Sequence, residues 1–79
     1  MEVTVRLHAT LRRPTPTGYQ NRLTVELADG ATLAALLALL ELEIAPEYLM
    51  VVLNRRRVYP EHQLNNGDEL DLFPPISGG

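Results

Sequence analysis

The chain has 79 residues, 46% of them hydrophobic and 22% charged, with a net charge of −3. This profile fits one small folded domain, near the lower limit for a self-sufficient core, and excludes a disordered segment. Without cysteine, and with His8 and His62 as the only histidines, disulfides and thiol nucleophiles are excluded and a metal centre or histidine triad lacks its usual ligands.

The acidic balance argues against nucleic acid as the main partner. No apolar run approaches the length of a membrane span, and the alternating start "MEVTVRLHA" has neither the charge nor the apolar block of a targeting peptide. A cytoplasmic protein without enzymatic chemistry of its own is therefore expected.

In chain order, Val3, Val5 and Leu7 alternate with Thr4, Arg6 and His8, the period of a half-buried strand. Residues 9–21 hold Pro14, Pro16 and Gly18 and predict an irregular loop, long for a hairpin connection. Leu23, Val25 and Leu27 then repeat the strand period. Thr32 is a candidate N-cap for a helix of leucine and alanine over residues 33–40. In it Leu33, Leu36, Leu37 and Leu40 follow the i, i+3, i+4, i+7 rule and predict one buried stripe, slightly widened by Leu39. Pro46 bounds the region downstream.

Residues 49–53 predict a strand with apolar side chains on both faces, and residues 57–59 a short strand cut by Pro60. "NNGD", residues 65–68, is a strong turn signal, and residues 69–73 form the last strand, with Leu70 and Leu72 on one face. Such an order suits a single sheet with one helix across one face.

Two features of this pattern bear on function. If Leu70 and Leu72 face the helix, Phe73 points away with Glu69 and Asp71, and either Met50/Val52 or Val51/Leu53 points away as well. The open face then carries an apolar patch, the mark of a partner site, or the 9–21 loop folds over it; the sequence leaves both outcomes open. The arginine triplet at residues 55–57 reads first as a solvated turn and second as a steering charge for an acidic partner surface. The two histidines are expected at the surface or at a sheet edge, and Tyr19, Tyr48 and Tyr59 as packing residues.

The chain finishes "NGDELDLFPPISGG". Following the strand pair and leucine-rich helix, this ending resembles the MoaD/ThiS family of ubiquitin-like sulfur carriers, and "PPISGG" resembles MoaD, the molybdopterin synthase small subunit, in particular. The resemblance implies an α+β, ubiquitin-like β-grasp fold: a mixed sheet of four to five strands with one main helix, a globular body over residues 1–73 and a flexible tail over residues 74–79. It implies that Gly79 is adenylated and becomes a thiocarboxylate, with Gly78 beside it. Phe73, Pro74, Pro75, Ile76 and Ser77 would contact the partner.

The implied partners are a MoaE-type large subunit of molybdopterin synthase, a ubiquitin-activating-type adenylating enzyme (MoeB/ThiF-like) and a sulfurtransferase. ATP would be consumed by the activating enzyme, and no cofactor would be bound by the carrier itself. Sulfur delivery to thiamine or tRNA, or conjugation to protein lysines as a ubiquitin-like modifier, are the alternatives within the same chemistry.

The chemistry of the ending agrees with that resemblance. An ionised carboxylate is a poor electrophile until adenylate makes it a leaving-group ester. Glycines pass through a narrow tunnel because they lack a Cβ. Pro74 and Pro75 restrict φ, so less entropy is lost when the segment is ordered by a partner. All seven basic side chains are arginine and none is lysine, so no side-chain amine within the chain competes for its own activated carboxylate.

Overall fold

A computed structural model describes residues 1–42 and 44–75. Seven strands, one α-helix and two single 3₁₀ turns follow one another in the described residues: β1 (Glu2–Leu7), a 3₁₀ turn (Ala9–Leu11), β2 (Arg13–Thr15), β3 (Gly18–Gln20), β4 (Arg22–Glu26), α1 (Leu33–Leu40), a second 3₁₀ turn (Pro46–Tyr48), β5 (Met50–Leu53), β6 (Arg56–Val58) and β7 (Glu69–Phe73). Five strands make one mixed sheet in the order β4-β1-β7-β5-β6. The last strand is thus the central one. It runs parallel to β1, with Val5 opposite Leu70, and antiparallel to β5, with Val51 opposite Leu72.

The helix forms where the leucine spacing places it. Thr32 caps it, its Oγ1 accepting from the Ala35 N–H at 3.4 Å. The two donors before Ala35 go elsewhere. The Leu33 and Ala34 N–H groups donate at 2.9 Å to the carbonyls of His62 and Pro60, so the segment before β7 closes the helix start. At the other end Glu41 adopts the left-handed conformation, φ 50°. Leu33, Leu36, Leu37 and Leu40 are buried against Val3, Val5, Leu7, Val51, Leu53, Leu70 and Leu72. Leu39 is 60% exposed and adds nothing to the stripe. No charged side chain is buried among the described residues.

Two turns show how the strands are aimed. In the "NNGD" turn Gly67 has φ 87°, a conformation that disfavours any Cβ, and its N–H donates to the Glu2 carbonyl at 2.7 Å. Asn65 N–H donates to Asp68 Oδ2 and Glu2 N–H to Asn66 Oδ1, which seats the start of β7 beside β1. The β5–β6 hairpin has a two-residue turn in which Asn54 and Arg55 both have positive φ, 52° and 67°. That is the primed turn whose twist suits a hairpin, made here without the glycine that usually follows the asparagine.

The 9–21 segment is more regular than its prolines suggest. Leu11 is buried in the core and β2 and β3 form a separate two-stranded ribbon, Thr15 opposite Gly18. Pro16 and Thr17 make its tight turn, where the fixed φ of proline is suited to the first central position. Pro14 is tolerated because a two-stranded ribbon has only edges. The Arg13 guanidinium donates to the Leu40 carbonyl and so ties the ribbon to the end of α1.

Candidate functional site

The alternation along β5 places Val51 and Leu53 in the core and Met50 and Val52 on the open face. Along β7 it places Leu70 and Leu72 inward and Glu69, Asp71 and Phe73 outward. Met50 lies opposite Phe73 in the ladder. The two therefore share the end of the open face from which Pro74 and Pro75 continue.

A groove of about 830 Å³ runs there, with Ile44, Tyr48, Met50, Phe73, Pro74 and Pro75 as its apolar lining and Arg57 at its rim. The 9–21 segment leaves this patch open. Because Leu11 is drawn into the core, only Ala9 and Thr10 reach the groove, as one wall, and Met50 remains 41% exposed.

The rest of the open face is polar and interconnected. Arg6 Nε donates to Asp71 Oδ1 at 2.9 Å, Arg6 Nη2 to Asp71 Oδ2 at 3.3 Å, and Arg6 Nη1 to Glu69 at 3.3 Å. Arg22 approaches Glu69 from β4 at 3.8 Å. His8 Nε2 lies 2.8 Å from Asp71 Oδ1. An ionised carboxylate only accepts, so the proton of this bond is on Nε2. The other face of the constellation is aromatic: the His8 ring stacks on Phe73 with centroids 4.4 Å apart and 10° between planes.

Electrostatics follow from these contacts. Partial burial works to raise the Asp71 carboxyl, but the hydrogen bonds and charges of Arg6 and His8 outweigh it and hold the pKa below the usual carboxylate value. The Asp71 hydrogen bond and charge in turn raise Arg6. No three His, Cys, Asp or Glu side chains among the described residues group as metal ligands.

The sequence expectations meet this geometry unevenly. Phe73, Pro74 and Pro75 stand together on the groove, whereas Ile76, Ser77, Gly78 and Gly79 lie outside the described residues. Arg55 and Arg56 are exposed on the β5–β6 hairpin, and of the triplet only Arg57 reaches the groove. The tyrosines are not packing residues: Tyr19, Tyr48 and Tyr59 are 68%, 64% and 53% exposed. They belong to the outer ribbon, a surface turn and the end of an edge strand, and arginines cover two of them, Arg12 over Tyr19 and Arg57 over Tyr59. No local sequence pattern marks Arg6, His8 and Asp71 as a unit. Its outward residues alternate in both strands, but only the parallel pairing of β1 with β7 brings them together.

Comparison with known proteins identifies the lineage. The sequence model of the ThiS family matches residues 5–79. The chain belongs to the ThiS family. Its members are ubiquitin-like sulfur carriers of ThiS/MoaD type, and the five-stranded mixed sheet with one helix is their β-grasp.

Among solved structures it is similar to SAMP1 from Haloferax volcanii, at 25% identity over 100% of both chains with a TM-score of 0.76. It is also similar to a protein assigned as molybdopterin converting factor, subunit 1, from Pyrococcus furiosus (23% identity, 95% of this chain and 98% of that one, TM-score 0.75). A ubiquitin-like protein from Caldiarchaeum subterraneum has the same fold at 16% identity, covering 99% of this chain and 100% of its own, with a TM-score of 0.60. A search of curated protein sequences finds no match. No helix among the described residues is long and apolar enough to cross a membrane.

Proposed function

We propose that this member of the ThiS family carries sulfur on the carboxyl group of Gly79 and serves as the small subunit of a molybdopterin synthase. The observation that carries the reading is the placement of residues 73–75. The central strand of the sheet ends in Phe73 at an open apolar groove, and two prolines continue from that end. A body can dock through this face while the six residues after Phe73, able to span about 20 Å when extended at roughly 3.3–3.6 Å each, reach toward a partner's interior.

In the chemistry proposed, the Gly79 carboxylate attacks the α-phosphorus of ATP in the adenylating enzyme and expels pyrophosphate. A hydrosulfide equivalent then adds to the acyl carbon, the C–O bond to AMP breaks, and a thiocarboxylate remains. Donors in the partner would stabilise the tetrahedral oxyanion. The carrier contributes the arm, its root and the docking face, and a MoaE-type subunit would receive the arm for transfer to a pterin.

The test is the intact mass of the protein isolated from its own cells under mild, non-reducing conditions, followed by reconstitution with adenylating enzyme, ATP and a sulfur donor. A gain equal to sulfur replacing oxygen, mapped to the C-terminal peptide, supports the reading. Reconstitution that leaves the carboxylate unchanged overturns it.

The likeness to SAMP1, whose name in a second structure is small archaeal modifier protein 1, favours one further reading, conjugation of the same activated carboxylate to lysines of other proteins. The lack of lysine would permit such conjugation but exclude chains through this protein's own side chains. Gly-Gly remnants on target lysines in cell lysate would distinguish it from sulfur transfer alone.

A further inference from the structure

We propose that His8 is a positioning residue that sets the direction in which the C-terminal segment leaves the sheet. The inference rests on the carrier reading for its purpose, but its geometry stands apart from it. The backbone of His8 extends the β1–β7 ladder one step past β1, its N–H donating to the Leu72 carbonyl at 3.1 Å. Its ring is then held twice, by Asp71 at Nε2 and by the stack on Phe73. Asp71 is itself fixed by a two-pronged contact with Arg6, and Arg6 by Glu69. A line of contacts therefore runs along the open face from Glu69 through Arg6, Asp71 and His8 to the ring of Phe73.

Phe73 is where this line matters. The residue before a proline is confined to extended conformations, and Pro74 and Pro75 each have φ fixed by their rings. The orientation of Phe73 thus determines the heading of the proline pair. A tilt of about 10° at Phe73, carried over the roughly 7 Å of the two prolines, displaces the far end of the pair by about 1 Å. Reacting groups tolerate roughly 0.5 Å of misplacement, so holding Phe73 raises the share of encounters in which the terminal carboxylate arrives correctly. The stack serves this end better than a bulky aliphatic contact would, because two nearly parallel rings define a plane.

The test uses the full chain with His8→Ala and with His8→Phe, which keeps a ring over Phe73 but loses the bond to Asp71. Natural-abundance ¹³C relaxation at the Pro74 and Pro75 Cα reads the effect without any partner. The order parameter is expected to fall in His8→Ala and to hold in His8→Phe, with circular dichroism confirming that both are folded. Pyrophosphate release from the adenylating enzyme, measured against carrier concentration, reads the consequence. His8→Ala is expected to lower kcat about tenfold with KM within about twofold, and His8→Phe to recover most of the loss.

Unchanged Pro74 order in His8→Ala, or a His8→Phe variant as impaired as His8→Ala, overturns the inference. A wild-type chain that releases no pyrophosphate overturns the carrier reading instead, and the relaxation result then decides the positioning role alone.

Discussion

At the residue scale, Asp71 and Arg55 carry opposite lessons. Asp71 is a partly buried carboxylate, its side chain 24% exposed, kept ionised by Arg6 and His8, with a pKa below the ordinary value. A group depressed in the folded state contributes stability that is fully present above its unfolded pKa of about 3.9 and disappears as pH falls through the folded value. Asp71→Asn should therefore leave a protein whose unfolding midpoint changes less between pH 5 and pH 2 (roughly the window set by carboxylate titration) than that of the wild type. Chemical denaturation across that range measures it.

Arg55 holds φ 67° in the β5–β6 turn, a conformation costing roughly 1–2 kcal/mol for a residue with a Cβ. Arg55→Gly removes that strain while adding freedom to the unfolded chain. A net gain of about 0.5–1 kcal/mol in urea unfolding is expected, with Arg57 and the groove left in place.

At the scale of elements, the helix shows how sharply spacing decides burial. Leu36 and Leu39 are neighbours in an unbroken run of leucine and alanine, yet one is fully buried and the other 60% exposed. Leu36→Ala should cost about 2–5 kcal/mol by leaving a cavity, whereas Leu39→Ala should change the stability by no more than about 0.5 kcal/mol, since it alters a surface position. Thermal and denaturant melts of the two variants make the comparison directly.

The helix was legible because cap, composition and periodicity agree from Thr32 to Leu40. The final strand was legible because its alternation follows a strong turn. The β2–β3 ribbon was not, because Pro14, Pro16 and Gly18 are breakers in a longer strand but acceptable in a two-stranded ribbon with a tight turn. The outward cluster was half legible. Periodicity alone assigned Phe73 and Asp71 to the open face, but no local pattern reveals that β1 lies parallel to β7. Pairing across more than sixty positions (Thr4 with Glu69) is a property of the whole sheet, and so the contact of His8 with Asp71 and Phe73 could be reached only from the structure.

At the scale of the whole molecule, the core of the described residues ends at Leu72. Their buried hydrophobic side chains run from Val3 to Leu72, and Phe73, Pro74 and Pro75 lie outside that set. On the carrier reading, a chain lacking Gly79 should melt within about 1 °C of the wild type, as expected for loss of one terminal residue without a side chain, while losing sulfur transfer. A matching loss of melting temperature would mean that the end segment is structural.

The charge distribution separates the open face into a polar half, from Arg22 to Asp71, and an apolar half, around Met50 and Phe73. A partner that docks on the apolar half meets Arg57 at its margin. If that partner presents acidic side chains there, its rate of association should fall with added salt.

The central position of β7 also bears on synthesis. β7 is translated after every other strand of the sheet yet must enter between β1 and β5, which makes closure wait on contacts of long sequence separation. On the ribosome, β4, β1, β5 and β6 can pair only with their outer neighbours until residues 69–73 have emerged. The two halves of the sheet then join in the same event that seats Phe73 against His8. A truncated or misfolded product therefore lacks the seated Phe73, and a partner that tests for that contact before engaging the chain is in effect inspecting the finished fold.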